Sequence, residues 1–407
     1  MPGKPSKAII IGAGIAGPVV ALLLKRHGVD AEVFEAWPRS SGTGGGLQIA
    51  PNGMRVLAAA GLASKVIHRG SVAASFEFFS ESGVRLGAIN RDMERRFGHP
   101  AVNLRRGVLN EVILRAAESD GVRVNWEKRL VGIEDHPNAP IIAHFADGSA
   151  AEADFLIGAD GVHSAVREYV APNSPRPVDS GLVGFGGFVP ESSFEGPGPE
   201  ADLVGTLGRS GFFGYGRCSP NADVMWWSTL PAPRGLDAAM FRAMSQETIR
   251  SFLARFHAGW HSPIPGILAA ARNIIVTAEP EFGPLPCWSR GRALVIGDAA
   301  HPTSPHAGQG ASLALEDAMV LARLLAKKRD VTEVFYHFER DRRPRTDRIV
   351  ALARRNGNSK REFSGATAWL RDRMLGLLMP VAARSMDFMY AYDACAAVSG
   401  IDAKDAA

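Results

Sequence analysis

Residues Lys7–Glu35 read KAIIIGAGIAGPVVALLLKRHGVDAEVFE, and the fold is decided there. Lys7–Ile11 is a β-branched apolar run that predicts a buried strand, and Val19–Arg26 is a helix that Gly28 ends. Between them stands Gly12-x-Gly14-x-x-Gly17, and Ala31–Glu35 makes a second strand finishing on an acid. Strand, glycine turn, helix, strand and acid in that order form a dinucleotide-binding fingerprint. Gly12 makes the turn, Gly14 lets a pyrophosphate approach, Gly17 lets helix and strand pack, and Glu35 takes ribose hydroxyls. The pattern does not distinguish NAD from FAD.

Two more apolar runs end in the same way. Ala293–Ala311 reads ALVIGDAAHPTSPHAGQGA: a short strand, then Gly297-Asp298, then a long apolar helix. Pro302 and Pro305 delay the helix, because each fixes φ and lacks an N–H. Gly308 and Gly310 allow close approach of a ligand where the helix N–H groups of residues up to Ala311 point outward. Asp298 is placed to accept hydrogen bonds from a polyol. Phe155–Gly158 is the second such strand, followed by Asp160-Gly161 and, on the next helix, Arg167. In isolation Asp-Gly is most often just a turn. Ser41–Gly46 is a glycine loop, with Gly45 in it, that reads equally as a flap over a cofactor or as an ordinary connection.

Composition narrows the class. A chain of 407 residues has room for two domains, and a formal charge of +4 with interleaved acids and bases argues against nucleic acid. Three widely spaced cysteines give neither a metal pattern nor a disulfide framework, so a reducing, cytoplasmic setting is expected. No uninterrupted apolar stretch is long enough to span a bilayer. Arg105 and Arg106 open a helix that continues through Leu109, Val112 and Ile113; two cations there oppose the helix dipole, which calls for an anionic or carbonyl partner. Val72–Phe79 and Val84–Ile89 read as a hairpin.

From Val178 to about Glu279 the chain changes to alternating glycine and aromatic residues. Leu182–Val189, Leu203–Leu207, Gly211–Gly216 and Val224–Thr229 predict an antiparallel sheet, joined by loops such as Pro190–Pro199, with Phe185, Phe188, Phe212, Phe213, Tyr215, Trp226 and Trp227 on it. Part of that aromatic set is core and part can line a pocket for a planar molecule. Ala238–Phe256 is helical. Asp330–Arg355 reads as a charged helix, either with a solvated face or packed through salt bridges. Ala366–Tyr392 is an amphipathic packing segment (Leu370, Met374, Leu377, Leu378, Val381) broken at Pro380.

Together the three motifs, Gly12–Gly17 with Glu35, Asp160-Gly161 with Arg167, and Gly297-Asp298 with His301-Pro302, resemble the single-component flavoprotein aromatic hydroxylases over about residues 7–355. The salicylate-, urate- and tetracycline-modifying branch looks nearest, and Arg106-x-x-Leu109 fits it as well. The resemblance implies an α/β fold: a Rossmann-like FAD-binding domain with an inserted antiparallel-sheet substrate domain and C-terminal helices. The expected boundaries are 1–177 and 280–355 for the FAD-binding part, with a small hairpin insertion at 72–100, then 178–279 for the substrate domain and 356–407 for the helical segment.

The same resemblance implies one FAD, NADPH or NADH as cosubstrate without a second nucleotide domain, O2, a small aromatic substrate, and a monomer or homodimer. It places Glu35 at the adenosine ribose, Arg106 beside the flavin, Asp160 in a motif shared by FAD and NAD(P)H, Asp298 at the ribityl or pyrophosphate, and the 308–311 amides at the flavin pyrimidine edge. The chemistry implied is oxygen insertion through a flavin C4a-hydroperoxide. No motif names the base that assists; Tyr215, Arg209, His261 and His306 are the polar candidates. An oxidase or reductase on the same scaffold, or a flavin-binding module, are the alternatives. A flavin halogenase is disfavoured, since Trp226-Trp227-Ser-Thr-Leu-Pro231 stands where that family has spaced tryptophans.

Overall fold

The computed structural model describes residues 6–39, 44–89, 92–194, 203–327, 330–358 and 365–397. Its first sheet has six strands in the order Ser289–Arg290, Ala293–Val295, Phe155–Gly158, Lys7–Ile11, Asp30–Phe34 and Arg123–Asn125. All neighbours are parallel except the Ser289–Arg290 edge. A parallel sheet is buried on both faces, which is why these strands are continuous apolar runs. The helix Ala16–Arg26 is buried from Ala16 to Leu24 and packs against Gly310–Lys327, which is almost wholly buried. Leu22 is one of the largest side chains in this core, and truncating it to Ala costs about 2–5 kcal/mol.

This topology brings the three motifs to one place. Gly12, Asp160 and Gly297-Asp298 follow the carboxyl ends of three adjacent parallel strands, and Glu35 follows a fourth beside them. Ligands of open α/β sheets bind at that edge.

The second sheet has seven strands: Ile275–Ala278, Leu182–Pro190, Asp223–Pro231, Phe212–Arg217, Leu203–Leu207, Phe76–Ser80 and Arg85–Ile89. The expected hairpin therefore exists, but as part of this sheet. Phe76–Ser80 pairs in parallel with Leu203–Leu207, so the hairpin is an extension of the substrate-side sheet, not an insertion confined to the FAD-binding part. Short sheets complete the structure: Ala150–Ala153, Ile141–Phe145 and Leu130–Glu134 in one, Gly46–Ile49, Ala101–Arg105 and Ser71–Ala73 in the other.

Three helices cover one face of the second sheet. Ala238–Phe256 is two helices, Ala238–Ala243 and Gln246–Phe256, because Ser245 caps the second by accepting from the Thr248 N–H. Ile264–Ala270, which the sequence reading missed, is the third.

Toward the C-terminus, Val331–Asn358 takes the salt-bridged packing alternative, since Arg342 is fully buried in it and pairs with Glu316 and Asp317. One expectation fails there. Gly365–Ser385 is one helix with no break at Pro380; Leu370 and Met374 are 53% and 49% exposed, while the side chains of Leu377, Leu378 and Val381 lie outside the described residues. Residues 41–43 of the glycine loop and 195–199 of the proline-rich loop lie outside them too. No helix among the described residues is long and apolar enough to cross a membrane.

Candidate active site

The glycines divide into two kinds by what a side chain would meet. Gly12 has φ +105°, and a Cβ there would stand 2.7 Å from the Ala159 carbonyl carbon; at Gly17 it would run into the Gly12 carbonyl. Protein packing alone demands glycine at both. At Gly14, Gly45 and Gly308 a Cβ would meet nothing within 4 Å, and at Gly310 only Asp298 Oδ1 at 4.0 Å. These four line open space, as a cradle for a closely approaching ligand requires. Glu35 sits at the loop, its carboxylate accepting from the Ala13 N–H at 2.7 Å and the Trp37 N–H at 3.1 Å. Asn110 holds the loop from the other side, donating to the carbonyls of Ala13 (2.7 Å) and Gly14 (2.6 Å). Arg106 lies along Gly44, and its N–H donates to the Gly45 carbonyl at 3.0 Å.

The two carboxylates that look alike in sequence have different tasks. Asp160 accepts from Ser164 Oγ at 2.5 Å and from the N–H groups of Ala165 (2.8 Å) and Val166 (3.2 Å), so it caps the helix Ala165–Val170. Burial raises its pKa despite these donors. Arg167, from that helix, donates to the Ala299 carbonyl at 3.2 Å and ties the Asp160 loop to the Asp298 loop. Asp298 receives no hydrogen bond from the described residues. Burial raises its pKa above the ordinary 3.8, with His301, Arg106 and Arg167 opposing. A partly buried carboxylate with unfilled acceptor capacity suits the hydroxyls of a polyol.

Beneath Asp298 lies a buried ionic cluster. Asp317 accepts from His301 Nε2 (2.7 Å), the Gly297 N–H (2.9 Å) and Arg342 Nε (2.7 Å). Glu316 accepts from Arg345 (2.7 Å) and Asn52 (2.7 Å), and Arg342 Nη1 is 2.8 Å from it. Burial works against the Asp317 charge, but His301 and Arg342 outweigh it and hold the pKa at about 2. The cluster fixes Gly297 at φ +59° and so aims Asp298 at the start of the helix Gly310–Lys327.

The second sheet presents its other face to this edge. Three cross-strand rows lie on it: Leu207, Phe212, Thr229, Gly184 and Thr277; Phe78, Gly205, Gly214, Trp227 and Gly186; Phe76, Leu203, Gly216, Met225 and Phe188. Met225 touches the flavin-side strand at Gly46, where a Cβ would stand 2.8 Å from its own. Phe76, Phe78, Phe188 and Trp227 are only half-buried, and Trp227 lies over Gly214, whose Cβ would be 2.5 Å from the indole.

Residues 6–202 and 285–353 match the family model described as an FAD binding domain. The chain belongs to this FAD-binding family. It is 31% identical to a 3-amino-4-hydroxybenzoate 2-monooxygenase of Streptomyces platensis, with 94% of each chain covered. It is 32% identical to an FAD-dependent urate hydroxylase of Klebsiella oxytoca, covering 86% of this chain and 89% of that one. Its fold is similar to the crystal structure of Klebsiella pneumoniae HpxO complexed with FAD and uric acid, at a TM-score of 0.84 and 26% identity, covering 95% and 96% of the two chains. The protein is an FAD-dependent monooxygenase, and FAD is its cofactor. The open glycine positions and the unfilled Asp298 carboxylate fit that cofactor: Gly14, Gly45, Gly308 and Gly310 leave it room, and Glu35 and Asp298 offer acceptors.

Of the catalytic candidates, this flavoprotein brings only His306 to the seam between FAD cradle and second sheet. Tyr215 points to the opposite face, packed among Phe213, Trp226 and Val204, where burial pushes its pKa to about 12. Strand alternation explains it: Gly214 and Gly216 flank it on the open face. Arg209 is 67% exposed and paired with Glu81 at 2.9 Å. His261 is taken up by Thr206 at 2.9 Å and the Ser262 carbonyl at 2.7 Å. His306 Nε2 lies 3.0 Å from Glu279 Oε2, both nearly fully buried. Asn110, Glu279 and Asp317 were missed in the sequence, for none of them forms a motif with its neighbours. Arg105 has the partner its position called for, Asp223 at 3.0 Å.

Proposed function

We propose that the protein hydroxylates a flat, uncharged aromatic or heteroaromatic molecule lying on the half-buried face around Trp227. The observation that supports this is the make-up of that face. Phe76, Phe78, Phe188 and Trp227 supply half-buried ring surface, with Phe76 and Phe212 seated over Gly205, Trp227 over Gly214, and Leu375 packed against the cluster. The cations at its rim are occupied: Arg105 pairs with Asp223 at 3.0 Å and lies 4.0 Å over Phe188, and Arg371 pairs with Asp372 at 2.8 Å and donates to the Gly208 carbonyl at 2.9 Å. An anionic substrate would need one of them released, whereas Glu279 at one end favours a donor. Urate and 3-amino-4-hydroxybenzoate, named for the relatives, are therefore poor matches for this face.

FAD, reduced by NADH or NADPH, supplies the activated oxygen. Glu35, Asp298, Arg106 and the backbone around Gly308–Ala311 bind and orient it, and the N-terminus of Gly310–Lys327 favours negative charge. The apolar rows hold the substrate ring and keep water out. Anaerobic reduction of the holoenzyme by NADPH and NADH tests the reading, with 6-hydroxyquinoline, 5-hydroxyindole, salicylate and urate as effectors. Stimulation by the neutral pair alone is expected. Stimulation by the anions instead would overturn the substrate class, and reduction by neither nicotinamide would overturn the reductant.

A further inference from the structure

A chain of buried polar groups crosses the seam. Thr229, on the same sheet face as Trp227, two residues from it and only 1% exposed, donates from Oγ1 to Glu279 Oε1 at 3.1 Å. Glu279 Oε2 stands 3.0 Å from His306 Nε2, at ion-pair distance but out of line for a hydrogen bond, and the side chains are only 4% and 3% exposed. His306 belongs to the turn Pro305–Ala307 directly before Gly308, and Asn356 donates to its carbonyl at 3.1 Å. Behind the imidazole is a small recess of about 20 Å³, lined among others by Ser304, Glu281, Phe282 and Arg354. The Ser304 hydroxyl there is buried without a partner among the described residues. Glu281 and Arg354, the other charged groups of the recess, neutralise each other at 3.0 Å.

A carboxylate taken this far out of water needs a reason, since a neutral side chain would tie the turn to the sheet at lower cost. We propose that Glu279 and His306 are the acid–base pair that accepts the proton of a substrate hydroxyl during hydroxylation. This rests on the substrate lying on the Trp227 face. The substrate O–H bond breaks, its electron pair stays on oxygen and enters the ring, and its proton passes to Thr229 Oγ1 as the Thr229 proton moves to Glu279. The proton ends on His306, so the pair goes from carboxylate and imidazole to carboxylate and imidazolium. The recess with Ser304 is the way out to solvent. Thr229 and His306 thus bracket Glu279, one toward the ring and one toward water.

The test uses holoenzyme of the wild type, Glu279→Gln, Glu279→Asp and His306→Gln, each checked for FAD content. Ring-nitrogen NMR of 15N-histidine protein follows His306 against pH. The His306 midpoint is expected to fall by about one pH unit in E279Q, a tenfold change in proton affinity, and to be largely kept in E279D. With 6-hydroxyquinoline bound, as read from the flavin absorption band, the wild type is expected to show the probe's anion spectrum at a pH where the free probe is neutral, and E279Q and H306Q are expected to lose it. An anion spectrum unchanged in both variants, or absent from the wild type with probe bound, overturns the proposal. If the probe does not bind, the substrate-face reading fails, and the histidine titration then decides the pair alone: a midpoint indifferent to E279Q overturns it.

Discussion

Gly12→Ala and Gly14→Ala look equivalent in the fingerprint, yet the structure predicts opposite failures. At Gly12 the backbone has φ +105°, which costs an L-residue roughly 1–2 kcal/mol. A methyl there also stands 2.9 Å from Asp160 Cα and 2.7 Å from the Ala159 carbonyl carbon, backbone that cannot step aside, and overpacking of this kind costs about 1–3 kcal/mol. Together about 2–5 kcal/mol is lost, a large share of the 5–15 kcal/mol that typically holds a domain folded. At Gly14 a methyl meets no protein atom within 4 Å, so stability should move by less than about 1 kcal/mol. In the fingerprint's geometry that open space is the one a pyrophosphate would enter. Loss of one charge-assisted hydrogen bond, about 1.5–3 kcal/mol, weakens FAD roughly tenfold to a hundredfold. The assay is two-part: thermal unfolding of FAD-stripped protein, then FAD titration followed by quenching of flavin fluorescence. A G14A protein that binds FAD as the wild type does, or a G12A apoprotein that melts like the wild type, refutes the reasoning.

Further outcomes follow from the site. Asp298→Ala should purify without FAD. Because burial raises the folded-state pKa of Asp298, its contribution to stability falls as pH rises above 3.8; FAD-free Asp298→Asn should therefore melt above wild type at pH 7, with the gap closing below about pH 3.8. Gly214→Ala pushes the Trp227 indole off its seat and should lower kcat/KM about tenfold while FAD affinity is unchanged, as steady-state kinetics and flavin titration would show. Arg342→Met removes the fully buried cation that Glu316 and Asp317 share, leaving Arg345 to the one and His301 to the other, and should cost about 3–5 kcal/mol in urea unfolding. Asp317 is depressed to about 2, so its stabilisation is complete above 3.8 and disappears as pH falls toward 2.

How far the sequence could be read depends on how local the physics is. The glycine fingerprint, Asp160 and Asp298 were legible because each follows its own strand, and parallel pairing then lines the strand ends up without further information. The hairpin was legible as a hairpin, but its parallel partner, Leu203–Leu207, is over a hundred residues away and no local pattern names it. Arg342 looked like one more cation in a charged helix. Its burial depends on Glu316 and Asp317, which reach it from a different helix.

Asp160 and Asp298 carry that point into function. Each is an acid beside a glycine after an apolar strand, and nothing within five residues separates them by role. The difference lies in what surrounds the carboxylate once the chain is folded. Ser164, Ala165 and Val166 donate to Asp160, so it shapes the loop. Asp298 begins no helix of its own. The turn His301–Gly308 postpones the next helix, and the Gly297 N–H beside it goes to Asp317. A partly buried acid without local donors has acceptor capacity that another molecule's donors can fill. In this flavoprotein that position falls at the start of the helix Gly310–Lys327, where a bound polyol would bring them.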